Sequence, residues 1–168
     1  MALLSNLCSL LLVTALVTQA FSAECPEQCY DKAGNLCARS VYLSIFTLND
    51  DNADSTALPY LTIELNGGTE IKTVRLYDLP GNQFEIAKGD LWEFEVDDFE
   101  FSEPCVSTAA ITHVTIKPDT SDGDGIYIKD VFTWVRSGAA SEMLTADYDI
   151  NAWLDGDTPE SAIDLSKV

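Results

Sequence analysis

The sequence predicts an all-β protein: an antiparallel, eight-stranded β-sandwich preceded by a disulfide-stapled N-terminal extension. Three observations carry this expectation. From Val41 onward the chain is a succession of short runs rich in Val, Ile, Thr, Phe, Tyr and Trp, each bounded by Gly, Pro, Asn or Asp, which is the pattern of strands joined by turns. Within residues 91–97, Trp92, Phe94 and Val96 alternate with Glu93, Glu95 and Asp97, so one face belongs in a core and the other in water. No segment sustains a helical period.

Composition bounds the function. The 168 residues hold 28 Asp and Glu against 9 Lys and Arg, a formal net charge of −19, with 46% hydrophobic and 10% aromatic residues. That apolar content is too high for a disordered chain and suits one compact domain. The acidic excess argues against a nucleic-acid partner, because phosphate binding needs clustered cations. It also disfavours bare electrostatic attachment to an anionic membrane, so contact with phosphate-rich surfaces would need a bridging cation.

Residues 1–22 read as a signal peptide: an apolar run from Leu7 to Val17, too short to span a bilayer, is followed by small residues around Ala20 and Ser22. Secretion is therefore the expected localisation. Residues 23–38 form a cysteine-containing extension. Cys8 leaves with the signal, and the four remaining cysteines, Cys25, Cys29, Cys37 and Cys105, favour two disulfides in an oxidising compartment. Zinc is the rival reading, but only Cys25 and Cys29 have metal-like spacing and His113 is the single imidazole. Three pairings are open; the one expected joins Cys37 to Cys105, tying the start of the first strand to a later loop, and Cys25 to Cys29.

The expected strands are residues 41–48, 60–65, 71–77, 91–97, 111–117, 126–128, 131–136 and 147–154. Val114 and Ile116 alternate with Thr115 and Lys117, and Val74 and Leu76 with Thr73 and Arg75. Residues 138–144 are open between a helical turn and a loop. Residues 39–155 make up the body of the domain, and 156–168, with only Ile163 and Leu165 to bury, read as a loosely held tail.

Two connections are dense in oxygen ligands. The first carries Asn49, Asp50, Asp51 and Asp54, the second Asp122 and Asp124 with Gly123 and Gly125. Calcium takes six to eight oxygen ligands, and extracellular modules use weak calcium sites, so these residues are candidate ligands. The competing reading is that Asn, Asp and Gly are favoured turn residues. Neither loop fits an EF-hand, and a shared site requires the loops to meet at one end of the sandwich. Leu58, Phe99 and Phe101 lie in turn regions among acids, placed either to contact a membrane or to cover the ends of the core. Catalytic arrangements are scarce. His113 sits mid-strand with no nucleophile elbow, and no phosphate-binding glycine loop opens a helix.

The order of these features resembles the PLAT domain, a β-sandwich found in lipoxygenases, pancreatic-type lipases, polycystins and the bacterial alpha-toxin phospholipase. The residues that carry the likeness span about 39–155. They are Val41-Tyr42-Leu43-Ser44-Ile45-Phe46-Thr47 before the first acidic loop, then Leu61-Thr62-Ile63-Glu64-Leu65-Asn66-Gly67, then Phe84 with Lys88-Gly89-Asp90-Leu91-Trp92-Glu93-Phe94. Gly125-Ile126-Tyr127-Ile128-Lys129-Asp130-Val131 follows, and Tyr148-Asp149-Ile150-Asn151-Ala152-Trp153-Leu154 closes the series. The chain departs from the family at Ala53-Asp54-Ser55-Thr56, where Ala-Gly-Thr-Asp is common, and at Ile126, where Trp is common.

The resemblance implies a non-catalytic module that docks a membrane lipid or a protein partner, in some members through calcium at the loop end. No further domain of any size follows residue 155, so no attached catalytic domain is expected. The alternative is a lipocalin-like carrier of a small apolar ligand, with Trp92, Phe94 and Trp153 on a cavity wall. A hydrolase centred on His113 is a third reading, for which no turnover is expected.

Overall fold

Alternation along the chain becomes inward and outward faces in a computed structural model that describes residues 30–47, 58–79, 84, 88–103, 105–121, 125–158, 161–165 and 167–168. The described residues form β1 (Cys37–Ala38), β2 (Ser40–Thr47), β3 (Tyr60–Leu65), β4 (Glu70–Arg75), β5 (Gly89–Glu95), β6 (Val106–Ser107), β7 (Ile111–Lys117), β8 (Gly125–Ser137), β9 (Ala140–Asp147), β10 (Ala152–Asp155) and β11 (Ile163–Leu165). Short 3-10 turns occupy Val96–Phe99 and Thr108–Ala110. Every strand pairing is antiparallel.

One sheet runs β10-β8-β2-β5, with β9 pairing β8 as well; the facing sheet runs β11-β7-β3-β4. β8 is long enough to hold β10 along its first residues and β9 along its last, while β2 lies against its other edge. The core between the sheets takes Val41, Leu43 and Ile45 from β2, Leu61 and Ile63 from β3, Trp92 and Phe94 from β5, and Val114 and Ile116 from β7. Thr133 and Thr145 are also fully buried there, and each hydroxyl finds the other at 2.7 Å, so neither hydroxyl is stranded.

The sandwich has more strands than the eight expected. Residues 126–128 and 131–136, read as two strands, are one. Opposite the step from Phe46 to Thr47 the register passes from Asp130 to Ile128, leaving Lys129 unpaired in a bulge. The extra residue shifts the inward phase from Ile126 and Ile128 to Val131, Thr133 and Val135, which is what broke the alternation in the sequence. Residues 138–144, left open above, are a turn and the start of β9. Gly138, at φ 57°, makes the tight reversal between β8 and β9.

The segment read as a loose tail is paired. Ile163 and Leu165 are buried on β11, which is bonded to β7, and the Val168 N–H donates to the Leu144 carbonyl at 2.9 Å. Two apolar residues suffice because the sheet supplies ladder hydrogen bonds to a strand of only three residues. In the extension, β1 pairs β6 beside the Cys37–Cys105 disulfide, whose Cα atoms are 5.1 Å apart. Cys25 and Cys29 lie outside the described residues.

Candidate functional site

Strand register decides which loops share an end of the sandwich. Thr47, the last residue of β2, pairs with Ile128 near the start of β8. Tyr60, the first residue of β3, pairs with Lys117, the last of β7. The β2–β3 and β7–β8 connections, both rich in Asp, are therefore anchored at the same end. The Thr47 N–H donates to the Lys88 carbonyl at 3.1 Å, which brings the entry to β5 to that end too.

The acids described here are held in place. Asp119, at the base of the second acidic connection, is 4% exposed; it accepts from the Arg75 guanidinium at 2.5 Å and from the Ser121 N–H and hydroxyl at 3.0 and 2.6 Å. The Ser121 donors, and then Arg75, hold its carboxyl below the usual range. Asp90, also buried, accepts from the Phe84 N–H at 2.6 Å, with the Lys88 ammonium at 3.4 Å. This carboxylate steadies Phe84 in a left-handed conformation, φ 54°, while its ring packs on Trp92.

A depressed carboxyl pKa is a stability term that is present above the unfolded value near 3.9 and is lost as pH falls through the lower folded value. The stability gap between the natural chain and Asp119→Asn should therefore be full at neutral pH and close progressively below about pH 4. Melting of both proteins across that range checks it, and a gap independent of pH would contradict the assignment.

Of the candidate calcium ligands, Asn49, Asp50, Asp51, Asp54, Asp122 and Asp124 all lie outside the described residues. Their carboxylate and amide oxygens have the chemistry a hard cation takes. Among the described residues no group of three or more His, Cys, Asp or Glu is gathered closely enough to hold a metal.

The loop hydrophobes do not form one patch. Leu58 packs against the core beside the acidic connections. Phe99 and Phe101 stack on each other, centroids 5.4 Å apart, beyond the far end of β5. Phe99 is 2% exposed, so it covers the end of the core and is not free to contact a membrane. Trp92 and Phe94 point inward, whereas Trp153 is 44% exposed and lies on Tyr127 outside the sheet. The carrier reading placed these three on one cavity wall; the two sheets put them on opposite sides of a strand layer. An open cleft lies near the disulfide, lined by Tyr30, Leu36, Thr108, Ser141, Glu142 and Lys167, with a polar character unsuited to an apolar ligand. His113 is exposed on β7, its Nε2 3.4 Å from Asp164.

One feature escaped the sequence reading. The outer face of the sheet built on β8 carries Tyr42, Phe46, Phe132 and Trp134, although Trp134, as a strand tryptophan, was expected in the core. The signal was present: β2 reads Val-Tyr-Leu-Ser-Ile-Phe and the second half of β8 Val-Phe-Thr-Trp-Val, both apolar at odd and even positions alike.

No family model matches the chain, and no curated protein matches it. Solved structures do. An alpha toxin from Clostridium absonum superposes with a TM-score of 0.62 at 18% identity, covering 81% of this chain and 33% of that one. The Clostridium perfringens alpha-toxin from avian strain SWCP gives 0.62 at 18% identity, covering 79% and 32%. A LOX structure in complex with arachidonate gives 0.51 at 12% identity, covering 77% and 16%. The chain thus spans about a third of the toxins' length and about a sixth of the LOX chain, and what is shared is the β-sandwich fold.

Proposed function

We propose that the chain is a secreted, non-catalytic module of the PLAT type, which docks a lipid surface or a partner protein through its acidic loop end with calcium as the bridge. The observation that carries this is the register pairing Thr47 with Ile128 and Tyr60 with Lys117, which anchors both acidic connections at the same end. The fold shared with the alpha-toxin and LOX chains supports it. So does the order of motifs along residues 39–155, and the disulfide is in keeping with an oxidising compartment.

The physics is charge neutralisation. A molecule of net charge −19 is repelled by anionic headgroups, and an acidic cluster costs stability through its own repulsion. Calcium held by Asn49, Asp50, Asp51, Asp54, Asp122 and Asp124 lowers both costs and leaves coordination positions for phosphate oxygens. Leu58, partly buried against the core beside these loops, would follow the cation into the headgroup region with its exposed part.

The test is co-sedimentation with phosphatidylcholine–phosphatidylserine vesicles. In millimolar calcium the protein should pellet with the vesicles, and a chelator should return it to the supernatant. For a weak extracellular site, about 10 mM calcium should also stabilise the fold by roughly 1.5 to 3 kcal/mol. An unchanged melting midpoint removes the metal from the account. Equal partitioning with and without calcium removes the bridge.

A further inference from the structure

The outer face of the sheet built on β8 is a second surface, distinct from the loop end. Register assembles it in rows. Leu91, Ser44 and Phe132 lie side by side on β5, β2 and β8, and the next row reads Glu93, Tyr42, Trp134 and Met143. Phe46 leans across β5 onto Gly89, where its ring fills the space a Cβ would need. The rings then interlock: Phe46 meets Phe132 edge-on at 5.9 Å, Phe132 meets Tyr148 at 5.0 Å, and Tyr42 stacks on Trp134 at 5.2 Å. Leu91 is 51% exposed and Tyr148 68%, so this face is open to solvent and ordered by its own packing. A contiguous apolar sheet face on a soluble domain marks an interaction surface.

We propose that this face docks a second protein, one that presents an apolar patch bordered by Lys and Arg. Aromatic residues, Met and Arg are the side chains enriched in protein interfaces, and here they are Phe46, Phe132, Trp134, Met143 and Arg136 on adjoining strands. Charge selects among occupants. Glu93 and Glu95 are exposed on the same face, while Lys88 lies 3.4 Å from Asp90, Lys129 3.7 Å from Asp130, and Arg136 donates its Nε to the Gly138 carbonyl. A second copy of the chain would bring another −19 against these carboxylates. A bilayer would strip water from Glu93 and Glu95 with Arg136, in the same row as Glu95, as a single opposing charge, and so bury a net negative charge. A basic-rimmed protein patch supplies both the apolar contact and the compensation.

The test is an NMR titration of the isotopically labelled full chain with a synthetic peptide of alternating Leu and Arg at about 0.15 M salt. Shifts should appear at the amides of Phe46, Leu91, Phe132 and Met143. Leu91→Ser and Phe132→Ser should each weaken binding about thirtyfold, and added salt should weaken it further. Because Phe132 is half-buried, Leu91→Ser on the edge strand carries the test if Phe132→Ser does not fold. Shifts confined to the loops, or spread evenly over the acidic surface, overturn the proposal. So does self-association through these residues, or loss of the same amide signals on adding phosphatidylcholine vesicles in place of the peptide.

Discussion

Replacing Cys37 and Cys105 together by Ser is expected to cost about 4 kcal/mol and lower the melting temperature by roughly 10 to 20 °C. The bridge spans 68 positions of sequence and so restricts a long loop in the unfolded chain. That loop contains β2, β3, β4 and β5, which supply strands to both sheets, so the bridge limits how far either sheet can stray before pairing. In the folded state the loss is local: β1 and β6 are two residues each, and their ladder is too short to hold the extension without the covalent link. Calorimetry of the double-Ser variant beside the oxidised chain decides the matter. A midpoint within two or so degrees of the natural one would mean that the extension contributes nothing to the global fold.

Trp92→Ala is expected to cost about 3 to 5 kcal/mol, the range for emptying a large aromatic site. Trp92 is fully buried, stacks on Phe84 with centroids 5.2 Å apart, and donates its indole N–H to the Tyr77 carbonyl at 2.9 Å. The side chain thus ties β5 to the segment that follows β4 and to Phe84, whose own N–H is held by Asp90. Trp92→Phe keeps most of the volume but leaves the Tyr77 carbonyl without its donor, at roughly 1 to 3 kcal/mol. Urea unfolding should order the three proteins natural, Phe, Ala. Equal losses for the two variants would mean that the hydrogen bond, and not the packing, holds this corner.

Trp92 also shows what was legible. Its alternation with Glu93 placed it in the core correctly, because period two with charged partners has only one arrangement in a half-buried strand. The same rule failed on β8. The bulge at Lys129 slipped the phase and made one strand look like two. It failed again for Ile163 and Leu165, since a strand of three residues carries too few positions to show a period. The loop hydrophobes show a different limit. Leu58, Phe99 and Phe101 are alike in sequence context, yet strand direction sends Leu58 to one end of the sandwich and the two Phe residues to the other.

Whereas the structure selected Cys37–Cys105 from the possible pairings, the amino-acid sequence alone determined the all-β class, the inward face of β5 and the acidic character that argues against nucleic acid. These follow from local periodicity, residue counts and net charge, which survive without knowledge of what lies next to what. Which loops share an end, which apolar residues lie outside the sheet, and where a short strand finds its partner were decided by tertiary structure alone. They depend on register between strands far apart in the chain, and a register is set by the packing of two sheets, which no single segment encodes.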